Sequence, residues 1–130
     1  MRLISLFFIL TLVTGCAGKY EPDEMYPMAS KFKDLSQLID GLVKFSNTPI
    51  TTESQARRQL QAEYPEQLKE FRDYDLRIDI QGKNTVLLLC DGNTALFEDA
   101  GCNGSFEYHH WKKNYSQACE FTINTSKVCK

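Results

Sequence analysis

A chain of 130 residues with 15 basic and 17 acidic side chains has a net charge of −2 and room for one domain. Its basic doublets, Arg57-Arg58 and Lys112-Lys113, are too short to track a phosphate backbone, which excludes nucleic acid as an expected partner. At the amino terminus Met1-Arg2 precedes the apolar run Leu3 to Val13 (LISLFFILTLV) and the small residues Thr14 and Gly15. A basic start, an apolar run of about 7–15 residues and a small-residue end make an export signal. Residues 3–13 fall short of the roughly 17–25 apolar residues that a transmembrane helix needs.

Val13-Thr14-Gly15-Cys16 resembles the lipobox of bacterial lipoproteins. The resemblance covers the first sixteen residues. It implies cleavage before Cys16, a diacylglyceryl group on the thiol and a further acyl chain on the new amino terminus. The implied partner is the lipid bilayer, held through acylated Cys16 because several acyl chains anchor firmly where one holds weakly. In this family an Asp after the Cys marks retention at the inner membrane. Ala17 stands there, so the resemblance implies the outer membrane, with the domain facing the periplasm or the cell surface. Without residues 1–15 the chain keeps fourteen basic and seventeen acidic side chains, a net of −3.

Residues 16–28 then read as a lipidated end and tether, since AGKYEPDEMYPM carries two prolines and no period. Tyr20, Met25, Tyr26 and Met28 give that stretch apolar groups able to dock. A single domain is expected over 29–130. Phe32, Leu35, Leu38, Ile39, Leu42 and Val43 recur at helical spacing, predicting a helix from Ser30, as N-cap, to Phe45. Gly41 within it suggests a close helix–sheet contact. Thr52-Glu53-Ser54-Gln55 is a capping box opening a second helix, and Pro65 breaks it or starts a short third. The period then changes to two. Leu76, Ile78 and Ile80 alternate with polar residues, Gly82-Lys83 makes a turn, and Thr85 to Cys90 (TVLLLC) reads as a central strand. Asp91-Gly92 signals a second hairpin to a strand at Thr94–Glu98, and a last strand is expected at Glu120–Asn124. The pattern predicts an α+β fold, two or three amino-terminal helices on one face of a small antiparallel sheet, with two disulfides.

With Cys16 taken by lipid, Cys90, Cys102, Cys119 and Cys129 form an even set in an exported chain, expected as two disulfides. Sequential pairing, Cys90 with Cys102 and Cys119 with Cys129, closes the shortest loops and is the expected connectivity. The spacings lack the close CxxC pairs of a zinc site or a thioredoxin-like motif, and paired cysteines supply no thiolate nucleophile.

Both histidines, the single tryptophan and three other aromatics gather in residues 99–115. Asp99, Tyr108, His109, His110, Trp111 and Lys112 are therefore the candidate binding surface, since rigid rings offer contact area at small entropic cost. Phe106, Tyr108 and Trp111 could equally complete a core. A metal between His109 and His110, with Glu98, Asp99 or Glu107, is disfavoured because adjacent residues of an extended segment point apart. No nucleophile elbow, phosphate loop or dinucleotide fingerprint is present. The expected function is thus non-enzymatic and cofactor-free: a small envelope lipoprotein that binds a macromolecule or assists an assembly. The alternative is an inhibitor of a lysozyme-like cell-wall hydrolase, presenting the loop around Asp99–Lys113.

Overall fold

The computed structural model describes residues 19–106, 108–113 and 117–129. Helices come first: α1 (Pro22–Phe45), α2 (Glu53–Glu63) and α3 (Pro65–Lys69). Strands follow: β1 (Asp75–Gln81), β2 (Asn84–Asp91), β3 (Thr94–Ala100) and β4 (Tyr108–His109), then a 3-10 turn (His110–Lys112) and the short α4 (Thr125–Val128). The four strands pair antiparallel in the order β1-β2-β3-β4, an α+β fold with α1, α2 and α3 on one face.

α1 starts at Pro22, inside the stretch read as a tether, so Ser30 lies within the helix and caps nothing. Pro22 occupies the first helical position, where its missing N–H costs no bond and its fixed φ suits the helix. Asp23 and Glu24 in the first turn complement the positive helix end. Pro27 does forfeit an interior hydrogen bond. Burial of Met25 and Ala29 on either side of it holds that turn in place. Further along, Phe32, Leu35 and Ile39 bury the stripe that the periodicity predicts. In α2 the capping box forms as expected, Thr52 accepting from the Gln55 N–H and the Gln55 side chain from the Thr52 N–H.

β2 is buried on both sides. Leu87 and Leu89 join the helix-side core with Leu76, Ile78 and Phe32, while Val86, Leu88 and Cys90 face the carboxy-terminal segment through Phe121 and Ile123. A strand covered on both faces needs a continuous apolar run rather than alternation, which is what TVLLLC supplies. β3 carries a bulge: Leu89 pairs with Phe97 but Cys90 pairs with Ala95, leaving Leu96 as the extra residue. Leu96 and Phe97 therefore both join the helix-side core, and Glu98 is turned to the opposite face.

The expected glycine contact is made by a different residue. Gly41 has open space around it, whereas a Cβ on Gly101 would lie 2.4 Å from the Ser36 carbonyl oxygen and 2.5 Å from Asp40 Cβ. Buried Asp40 explains that approach: its carboxylate accepts from the Thr85 N–H at 3.1 Å and pairs with Lys44, stitching α1 to the start of β2.

The disulfides join Cys90 to Cys119 and Cys102 to Cys129, so the expected sequential pairing is wrong. Hairpin geometry forbids it. Cys90 pairs with Ala95 near one end of the sheet, and Cys102 lies beyond Ala100, which pairs with Val86 near the other. Four strand residues already separate them by about 13 Å, against about 7 Å at most between bridged Cα atoms. The expected strand at 120–124 is also absent. That segment instead crosses the sheet face diagonally from the β2–β3 turn, where the Cys119 N–H donates to Asn93, to Cys129 at the far end. Gln81 holds it there, donating to Ile123 O at 3.1 Å and accepting from the Thr125 N–H at 2.8 Å. The sheet edge belongs to β4, where His109 pairs with Phe97 and Tyr108 with Glu98.

Candidate functional site

The aromatic segment splits into an inner and an outer half. Asp99 and His110 are buried and Tyr108 and Lys112 exposed, with His109 and Trp111 between. Alternation along β4 explains the division: His109 points to the helix side, packing on Phe97 and stacking on Phe106 at 4.3 Å, while Tyr108 lies over the opposite face. Burial, then the nearby Lys112 charge, lowers the His109 pKa and favours a neutral ring.

The pair that sequence left unidentified is His110 and Glu98. His110 Nε2 lies 3.0 Å from Glu98 Oε1, with the side chains 2% and 0% exposed. Glu98 also accepts from the Thr122 hydroxyl at 2.7 Å and from the Thr122 and Ile123 N–H groups at 2.7 and 2.9 Å. Burial on its own raises the carboxyl pKa, but the bonds from His110, Thr122 and Ile123 outweigh it, so Glu98 ionises below the ordinary glutamate value. The His110–Glu98 bond resembles half of an acid–base triad. Its surroundings make it a clamp: every lone-pair direction of the carboxylate serves the carboxy-terminal segment or His110, and the ring is sealed from solvent. His110 Nδ1 and Trp111 Nε1 are buried without a hydrogen-bond partner. Cys90, Cys102, Cys119 and Cys129 are all consumed in disulfides, and no group of three or more metal-ligating side chains occurs among the described residues. Glu107 and Cys16 lie outside the described residues.

The outer half forms two ring-and-lysine patches. On the helix side, Trp111 meets Tyr26 edge-on at 5.7 Å, with Lys112 Nζ 4.5 Å above the Tyr26 ring and 5.7 Å from Trp111. On the other side Tyr108 stacks on His110 at 5.2 Å with Lys113 Nζ 5.7 Å from its ring. Tyr26 was read as part of a tether. Only the extension of α1 to Pro22 brings it to the sheet edge.

The chain enters the domain close by. Lys19 Nζ and the Tyr20 hydroxyl each reach Asp91 Oδ2 at 3.0 Å, at the end of β2. The Lys19 bond, then the Tyr20 bond, holds the Asp91 carboxyl below its ordinary range. A separate open hollow of about 340 Å³ lies between the end of α1 and α2, lined by Leu42, Phe45, Asn47, Gln59 and Glu63, with Phe45 83% exposed. Among the described residues no helix is long and apolar enough to cross a membrane. No protein-family model, curated protein or solved structure matches the chain.

Proposed function

We propose that this protein is a non-enzymatic lipoprotein of a bacterial envelope, anchored through acylated Cys16, whose domain binds another envelope macromolecule. The observation that carries the binding role is the exposed patch of Tyr108 and Lys113 on the sheet edge, beside a frame held by two disulfides and Glu98. Tyr108 is 41% exposed at the sheet edge, paired with Glu98 of β3. Rigid aromatic groups beside cations suit macromolecular recognition, because little side-chain freedom is lost when a partner covers them. The anchoring role is supported by Val13-Thr14-Gly15-Cys16 at the end of the apolar run from Leu3, and Ala17 favours the outer membrane. Anchoring raises the effective concentration of the domain near a membrane-bound partner. The inhibitor reading gains little from this geometry, because Asp99 and His110 of that segment are buried.

Two measurements test the proposal. Fatty-acid labelling and membrane retention of the intact chain should both vanish on Cys16→Ser, and persistence of both would refute the anchor. A photo-crosslinking residue at position 108 in intact cells should capture one defined envelope component. Absence of any adduct at position 108, with the protein folded and anchored, would refute the binding surface.

A further inference from the structure

We infer that the end of the domain bearing Tyr26, Trp111 and Lys112 rests in the headgroup layer of the bilayer that holds Cys16, so that the protein docks on its own membrane. The inference rests on the anchoring proposed above.

The argument is one of chain length. Three residue steps separate Cys16 from Lys19, a reach of at most about 11 Å even when fully extended. Lys19 and Tyr20 are bonded to Asp91, so the chain leaving the acylated residue meets the domain at the β2–β3 turn. Trp111 and Tyr26 share this end. The register of β4, with His109 opposite Phe97, directs the following 3-10 turn toward Ala95 and the β2–β3 turn. Tyr26 is four residues from Pro22, roughly 6 Å along the helix axis. The opposite end of α1, at Phe45, is some 35 Å from Pro22.

The chemistry fits the position. Tyr, Trp and Lys are the side chains that settle at the membrane–water interface, the rings among the glycerol and upper acyl groups and the ammonium among the phosphates. Tyr26 is 48% exposed, with one part of its ring on Trp111 and the rest open to solvent. Glu21, Asp23 and Glu24 occupy the same end and offset Lys19, Lys112 and Lys113, so the contact suits a zwitterionic surface and should resist salt.

Trp111 is the single tryptophan and reports its own depth. The full acylated protein, its lipid verified by the mass of the Cys16 peptide, is reconstituted in phosphatidylcholine vesicles brominated at shallow or deep acyl positions. Trp111 emission should fall by about twofold or more with shallow bromines and less with deep ones, and should do so at high salt. Tyr26→Ala combined with Lys112→Glu, both on exposed positions, should reduce that quenching by about half while leaving the unfolding midpoint nearly in place. Acylated, vesicle-bound protein whose emission ignores the brominated lipid would overturn the docking and leave the anchor standing. Crosslinks from position 112 to a protein instead of to lipid would overturn it as well. A Cys16 peptide without acyl mass would overturn both.

Discussion

Replacing Glu98 tests the clamp directly. The carboxylate receives four donors, two of them backbone N–H groups of the carboxy-terminal segment, and its own side chain is 0% exposed. Glu98→Ala leaves those four donors without their acceptor in a buried place, and should cost about 3–5 kcal/mol. Glu98→Gln keeps the shape and one acceptor oxygen, so charge-assisted bonds become neutral ones and the expected loss is about 2 kcal/mol. The assay is guanidinium unfolding of the oxidised protein, extrapolated linearly to water. The pH dependence carries the sharper test. Because the folded carboxyl ionises below its ordinary value of 4.5, the stability it contributes is full above that value and is lost as pH falls through the lower, folded pKa. The part of the gap between wild type and Glu98→Gln that this carboxylate supplies should therefore narrow as the pH falls below about pH 5. A gap that stays constant to about pH 3, or a glutamine variant as stable as wild type at neutral pH, would refute the clamp.

Gly101→Ala should cost about 1–3 kcal/mol in the same assay, because the added Cβ meets a backbone carbonyl that cannot swing aside; an unchanged midpoint would show that α1 can retreat from β3. Non-reducing peptide mapping should recover Cys90 with Cys119 and Cys102 with Cys129. Breaking either bridge by paired Cys→Ser replacement should cost about 3–4 kcal/mol, since each closes a loop of nearly thirty residues in the unfolded chain. Trp111→Ala should cost about 2 kcal/mol, less than a full core deletion, because the ring is only partly buried against the core. A loss above about 4 kcal/mol would make Trp111 wholly structural.

Local patterns were legible wherever a single element satisfies itself. The α1 stripe from Phe32 to Val43, the Thr52 and Gln55 box, and the two hairpins at Gly82 and Gly92, both at positive φ, follow from period, capping and turn chemistry among neighbours in sequence. The hairpin at Gly92 even contained the argument against a Cys90–Cys102 bridge, since it sends residue 102 away from residue 90. Pro22 and Pro27 concealed the start of α1, because a proline reads as a break until the buried Met25 and Ala29 show what the turn is packed on. The remainder needed the third dimension. One extra residue at Leu96 decides which face Glu98 occupies, and only the return of the carboxy-terminal segment across that face gives it Thr122 and Ile123 as donors. Sequence spacing determines which side chains share a face of one element. Which elements lie on one another is decided by packing between residues far apart in the chain, and the His110–Glu98 pair and the Tyr26–Trp111 contact exist only at that level.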